Sequence, residues 1–383
     1  MRWIGLANPE GKRIAFFQEA LAALGQPPAR VVSWLDFLAE PEVLAAALAG
    51  EGGPTSLRIE STGKSFAVER ELIALGADAE LGDAERIDAA GARALAEDKG
   101  RVRFLRQRHE GFLVALTRIE AILAAQPEVQ VMSPPSAIRL MFDKPRCHAA
   151  CEAAGVPVPP ALPGPIGSYA ALREAMAAAS LPRVFVKASH ASSASGVIAL
   201  ATHPKDPRKV VATTTVELVR QEGQLLLYNS RKIRRYTREA DVAAIVDALC
   251  REGVQVEAWL PKLRLGGKSS DLRCVVIGGR ASHVVVRTSE SPLTNLHLLN
   301  PRGDLEACQA QVGPEAWQRA MEACEAACAA VGAPLYAGVD LCMTRKGERA
   351  VLEVNAFGDL LPRVLVDGRD TYQAEVAAAL AAA

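Results

Sequence analysis

The segment Gly338 to Asn355, GVDLCMTRKGERAVLEVN, constrains this chain most, because folding it as a hairpin sets two carboxylates face to face. With Lys346 and Gly347 as a two-residue turn, Asp340 falls opposite Glu353. Asn355 shares their face, since side chains two apart on a strand point the same way, while Leu352, Val354 and Ala356 turn toward a core. Directly opposed anions repel unless solvent screens them or a cation lies between. Three hard oxygen ligands with room left for water and phosphate suit Mg2+ better than zinc or a closed calcium cage. A hairpin with one solvated polar face accounts for the same spacing.

The 383 residues are too many for one ordinary core, so two or three packed units are expected. A hydrophobic share of 50% against 23% charged excludes a largely disordered chain. Lysine plus arginine equals aspartate plus glutamate at 44 each, so no overall field draws nucleic acid or an anionic membrane, and neither is expected as a partner. The opening MRWIGLANPEGKR has too short an apolar run for a signal peptide, and no stretch of 18 uncharged apolar residues follows; a cytoplasmic location is expected. The 8 cysteines sit in apolar helical or strand patterns without CxxC pairs, which favours small core residues over zinc or disulfide frameworks.

A strand at Arg2 to Ala7, a helix from Lys12 to Leu24 and a strand near Arg30 to Trp34 open the chain as a small α/β unit with a parallel sheet. Helical patterns at Pro41 to Ala49, Ala67 to Leu75 and Leu105 to Gln126 continue it. Within this unit, Arg58, Glu60, Ser61 and Lys64 surround Gly63 in a polar stretch that reads as a binding loop or as a plain solvated turn. Ser133, Pro134 and Pro135 mark the first boundary, and VPVPPALPGP reads as an extended connector. Beyond it come strands at Arg183 to Ala188, Val197 to Ala201, Gln224 to Tyr228 and Val254 to Leu260, with a helix at Arg238 to Arg251. The last third holds strands at Leu272 to Ile277 and His283 to Arg287, a helix at Pro314 to Val331, and the hairpin.

Several residues carry candidate chemistry. Lys187 ends an apolar strand and leads into HASSASGV, where Ser192, Ser193, Ser195 and Gly196 offer hydroxyls and flexible backbone suited to closing over phosphates. A snorkelling lysine before a flexible loop fits equally well. Lys144 starts a helix, where the dipole disfavours a cation unless an anion such as phosphate is near; an exposed lysine next to Asp143 is the competing reading. Glu257, Ala258, Trp259 and Leu260 end a strand whose backbone can read a purine edge beside apolar side chains, with core packing of Trp259 as the competing explanation. Arg273 and Arg287 lie on apolar strands and suit charge developing on phosphoryl oxygens, although surface ion pairs explain either. Asn295 sits in a loop near the same sheet.

Taken in order, DK then GVPVP, FVK then a small-residue loop, VEAWL, DLRCVVIGG, VVVR, TNLH, GVDL and LEVN resemble the ATP-grasp superfamily of carboxylate–amine ligases. They are most similar to the branch containing the ribosomal-protein S6 glutamate ligases. The resemblance implies an α/β ATP-grasp fold with an N-terminal Rossmann-like pre-domain (1–133). Two α+β subdomains would clasp ATP, one catalytic (134–182 and 261–383) and one a central lid (183–260). It implies that Lys144 and Lys187 hold ATP phosphates, that Glu257 to Leu260 hold adenine, and that Asp340, Glu353 and Asn355 carry Mg2+, for which Mn2+ can substitute. Arg273, Arg287 and Lys187 are then the catalytic cations.

The sequence also departs from the family. One glycine, Gly196, follows Lys187 where relatives carry several. No acidic ribose contact follows the adenine segment, so Asp271 is the substitute expected. AFGDLLP follows Asn355 in place of a serine and proline-glycine run. The implied reaction activates a carboxylate as an acylphosphate and joins it to an amine. Phosphoryl transfer to a hydroxyl and ATP binding without turnover are the alternatives. Arg58, Glu60, Asn295 and Arg363 are the candidate contacts to a small-molecule, amino-acid or peptide substrate. Homodimers are common among similar enzymes.

Overall fold

The structure is a computed structural model and describes every residue except 51, 52, 64, 193, 204 and 345. The first unit runs β1 (Arg2–Ala7), α1 (Lys12–Ala23), β2 (Arg30–Ser33), α2 (Trp34–Ala39), α3 (Glu42–Leu48), β3 (Thr55–Ile59), α4 (Phe66–Leu75), α5 (Ala89–Ala94), α6 (Leu105–Ala124) and β4 (Gln130–Val131). Its four strands pair in parallel in the order β2-β1-β3-β4. Helices cover both faces of such a sheet, so all five residues of β3 are buried, Arg58 included. The polar stretch read as a loop from Arg58 therefore begins one strand too early: Arg58 and Ile59 belong to β3, and the loop follows them. Lys64 of that loop lies outside the described residues.

Helices α7 (Pro135–Met141), α8 (Lys144–Ala153) and α9 (Tyr169–Ala178) lead to a second sheet. It contains β5 (Arg183–Ala188), β6 (Val197–His203), β7 (Asp206–Gln221), β8 (Gln224–Tyr236) and β9 (Val254–Ala258), in the antiparallel order β8-β7-β6-β5-β9. α10 (Glu239–Arg251) packs beneath it. Val184 and Val186 turn to that side and meet Leu172 and Met176 of α9 and Val242, Ile245 and Leu249 of α10. The core beneath this sheet draws on residues from Leu162 onward and also on Val102 and Leu105. Apolar residues at helical spacing in α9 need a sheet to cover them, and this one is within reach.

The third sheet holds β10 (Arg264–Leu265), β11 (Lys268–Ile277), β12 (Arg280–Ser289), β13 (Tyr336–Met343) and β14 (Arg349–Asn355). Its order is β10-β11-β13-β14, with β12 paired to β11. α11 (Leu305–Val312) and α12 (Pro314–Ala330) lie against the face that carries Leu272, Cys274, Val276, Val339 and Leu341. The opposite face is apolar at one end, where Val275, Ile277 and Tyr336 meet α1 and α13 (Thr371–Ala381). At its other end it is charged. The 8 cysteines are all buried, Cys147 and Cys151 in α8 and Cys324 and Cys328 in α12 among them, as small core side chains.

Candidate active site

The charged end of the third sheet is built by register. Arg273 on β11 pairs with Asp340 on β13, and Asp340 pairs with Glu353 on β14, so the three stand in one row across three strands. Gly338 pairs with Asn355 one step along, where the Asn355 amide donates to the Gly338 carbonyl at 3.2 Å. The facing carboxylates agree with the hairpin expectation, but the turn does not. Thr344 donates its amide to Glu348, so three residues rather than two separate the last bonded pair of the loop. That loop alone would set Asp340 opposite Leu352. A bulge between Asp340 and Leu341 restores the pairing, since Leu341 faces Val351 and Asp340 faces Glu353, leaving Leu352 as the extra residue.

The opposed anions have separate cations, so the hairpin does not require a metal to offset its charge. Arg273 grips Asp340 with Nε at 2.5 Å and Nη2 at 3.1 Å, and Nη1 of Arg287 adds a contact at 3.0 Å. Burial pushes the Asp340 carboxyl up, but the two guanidiniums outweigh it and hold it below the usual carboxylate range. Glu353 pairs with Lys144 Nζ at 3.1 Å. This is the anion that makes a lysine tolerable in the first turn of α8, together with Asp143, whose carboxylate caps the helix by accepting the Arg146 amide at 3.0 Å.

The second sheet faces this row. Phe185 and Lys187 alternate on one side of β5, and Glu257 on β9 stands directly opposite Phe185. Lys187 bonds Glu257 and also donates at 3.2 Å to the carbonyl of Leu352, the bulged residue. Burial would lower the Lys187 ammonium; Glu257, with Glu353 and Asp340 beyond it, reverses this and raises it. The second carboxylate oxygen of Glu257 is buried without a partner. Beside these charges Phe185, Ala199, Leu293, Trp259 and Leu298 form a small apolar cluster, with the Phe185 and Trp259 rings 5.5 Å apart.

The amides of Ala258 and Trp259 are already spent, donating to Pro160 at 2.8 Å and Arg183 at 3.1 Å. Of the segment expected to read a purine edge, the Leu260 N–H is the one with no bond among the described residues. In the loop after β5, Ser189 donates its amide to Gly253, and Ala191 accepts from Lys144 Nζ at 2.5 Å. Gly196 has φ +65°, and a Cβ there would lie 2.9 Å from that of Ala188, so this position needs glycine. Ser192 is exposed and Ser195 half-buried; Ser193 lies outside the described residues.

Other expected residues stand elsewhere. Asp271 is 3% exposed, and its oxygens are taken by Arg287 Nε at 2.7 Å, Lys262 Nζ at 2.8 Å and the Thr294 hydroxyl. Both oxygens are engaged within the protein, and the group orients Arg287. Arg58 is fully buried, donating to Glu60 (2.6 Å), Asp359 (2.6 Å) and Glu375 (2.7 Å) between the rings of Phe17, Tyr336 and Tyr372. Arg58 and Glu60 therefore tie α13 and the segment after β14 to the first sheet. Asn295 caps a short 3-10 helix, Leu296–Leu298, by accepting the His297 amide at 2.9 Å. Arg363 is exposed, in left-handed backbone at φ 65°.

Sequence reasoning missed Arg13, Gly338 and Gly358. Arg13 holds the Phe357 carbonyl and Asp359, the latter at 2.5 Å. A Cβ on Gly338 would lie 2.4 Å from the Cα of Gly358, whose carbonyl accepts from Arg273 Nη1 at 3.1 Å. The run AFGDLLP thus places a glycine where β13 leaves no room for a side chain, a signal legible only once the strands are paired.

No family model matches the sequence, and no curated protein matches it. Solved structures do. A D-cycloserine synthetase, DcsG, is similar at 17% identity with a TM-score of 0.55, each chain covered to 98%. The ATP-grasp ligase PsnB, solved with a minimal precursor, Mg and ADP, is similar at 16% identity and TM-score 0.50, covering 99% of this chain and 98% of its own. The chain has the ATP-grasp fold. The macrocyclase MdnC from Microcystis aeruginosa, bound with its precursor peptide, shares that fold at 12% identity and TM-score 0.53 over 100% of both chains.

Within this ATP-grasp fold the donor set fits a hard divalent cation. Asp340, Glu353 and Asn355 offer oxygen and no nitrogen or sulfur ligand, and the Asn355 amide oxygen accepts no hydrogen bond among the described residues. Asp340 would share its oxygens with Arg273 and Arg287.

Proposed function

We propose that the chain is an ATP-dependent ligase that activates a substrate carboxylate as an acylphosphate and joins it to an amine, releasing ADP and phosphate. The observation that carries this is the meeting of Lys144 and Lys187 with Asp340 and Glu353 between two sheets, beside an apolar cluster. Adenine would lie against that cluster, with the Leu260 amide donating to the purine and Trp259 and Phe185 supplying apolar surface. Lys144 and Lys187, released from their carboxylates, hold the phosphates. Asp340, Glu353 and Asn355 would hold Mg2+, which would supply charge neutralisation to the phosphates.

Arg273 and Arg287 then lie where the transferred phosphoryl oxygens gain charge, fixed by Asp340 and by Asp271. The carboxylate oxygen of the substrate bonds to phosphorus as the bond to ADP breaks; the amine nitrogen then bonds to the acyl carbon as phosphate leaves. The protein contributes alignment and fixed charge rather than a nucleophile. The loop from Ser189 to Gly196, docked on Lys144, serves as the cover over the phosphates, and Arg363, exposed beyond β14, is the remaining candidate substrate contact.

The chain divides functionally into the first sheet unit, a lid built on the second sheet, and a catalytic unit on the third. Within the fold, the ordered segments favour the branch of ribosomal-protein S6 glutamate ligases, acting in the cytoplasm on an amino-acid or peptide substrate. The test is ADP and phosphate release from ATP with Mg2+ across amino acids, peptides and peptide C-termini, with products identified by mass. An amide with equimolar ADP and phosphate supports the proposal. A stable phosphate ester without free phosphate, or nucleotide binding without turnover across the set, overturns it.

A further inference from the structure

Outside this cluster, three groups of metal-ligating chemistry converge from separate parts of the chain. His109 on α6, Asp143 at the head of α8 and His190 in the loop after β5 each bring one ligand atom within 4.8 Å of the other two. His109 is 5% exposed, and its Nδ1 has no hydrogen-bond partner. A buried nitrogen left unpaired is destabilising, so its presence calls for a ligand. One Asp143 oxygen caps α8; the other accepts no hydrogen bond among the described residues. Of the cations around the rings, Lys144, Arg106, Arg108 and Arg139, Lys144 is neutralised by Glu353, Arg108 by Glu69 and Arg139 by Glu120.

We propose that His109, Asp143 and His190 form a site for a divalent transition metal such as Zn2+, which fastens the loop after β5 to α6 and to the head of α8. Two imidazoles and a carboxylate are a common donor set for such ions and leave further positions for water. The rings now stack, with centres 3.8 Å apart and planes 13° from parallel, and parallel rings cannot both hold one ion in plane. His190 is the ring that turns: it is half-buried and held by one long contact, 3.4 Å, to the Phe142 carbonyl. The loop around it is anchored at both neighbours, since the Ser189 carbonyl accepts the Lys144 amide at 3.3 Å and the Ala191 carbonyl accepts Lys144 Nζ. An ion here adds a third anchor beside Lys144.

The test uses the full chain, stripped of metal and free of nucleotide, so its outcome is independent of the ligase proposal. Titration calorimetry with Zn2+ alone is expected to give one ion per chain. Affinity should fall at least tenfold in His190→Asn and in Asp143→Asn, the second of which keeps a residue able to cap α8. Circular dichroism confirms that both variants remain folded, and His109→Gln is expected to behave likewise. With Co2+, the absorption should lack a thiolate charge-transfer band, which separates this site from the cysteines. No bound zinc, unchanged affinity in both His190→Asn and Asp143→Asn, or a thiolate band from the bound ion would each overturn the proposal.

Discussion

Asp340 and Glu353 stand directly opposite each other on β13 and β14, yet each is neutralised by a cation from a different element, Asp340 by Arg273 and Arg287 and Glu353 by Lys144. The pair is poised rather than strained. On the proposed reading, Mg2+ and a polyphosphate would replace these internal ion pairs with ones that span the bound molecule.

Glu353→Gln should therefore keep the fold while lowering ADP release on the order of 100-fold or more, the usual loss when a group stabilising the transition state is removed. Asp340→Asn should lose activity similarly and also stability, because Arg287, 4% exposed, is left with Asp271 alone. Steady-state ADP release with parallel thermal melts checks both.

Lys187→Met leaves Glu257, 1% exposed, without its cation. Breaking a buried pair on one side costs about 3–5 kcal/mol. The double variant Lys187→Met, Glu257→Leu should recover most of that stability and none of the nucleotide affinity. Urea unfolding beside nucleotide titration separates the two effects; equal stability in the single and double variants would contradict the assignment.

Trp259→Ala should raise the KM for ATP by about tenfold, the scale of losing one ring beside a base, and leave the KM for the carboxylate substrate unchanged. Equal shifts in both constants would place the base elsewhere.

The Arg58 network gives a pH signature. Arg13 and Arg58 face Glu60, Asp359 and Glu375, so two cations meet three carboxyl groups. Burial, with Asp359 adding to it, pushes the Glu375 carboxyl well above its ordinary range, and one of its oxygens has no partner. The folded protein then keeps a proton that the unfolded chain releases near pH 4.5, so this group's stabilising contribution is present below that pH and is lost as pH rises toward the folded value. Glu375→Gln should flatten the fall of melting temperature with pH above about 5. An unchanged slope would contradict the protonated assignment.

The site was legible in the sequence where local patterns fix it and opaque where distant segments do. Alternation along GVDL and LEVN placed Asp340, Glu353 and Asn355 on one face, yet the register came out right although the turn was misjudged. A three-residue loop shifts the pairing one way and the bulge at Leu352 shifts it back. Nothing in the residues themselves announces a bulge. Arg58 looked like a loop residue because a charged side chain in a strand buried on both faces is rare. Its partners Asp359 and Glu375 lie some 300 positions away, at separations of 301 and 317. Asp271 likewise read as available because Lys262, Arg287 and Thr294 converge on it only in the folded sheet.

The most direct test of the central claim is binding of a slowly hydrolysed ATP analogue by calorimetry, with and without Mg2+, to the wild type and to Glu353→Gln. The account predicts affinity that depends on Mg2+ in the wild type and loses that dependence in the variant. Equal, magnesium-dependent affinity in both proteins would contradict it.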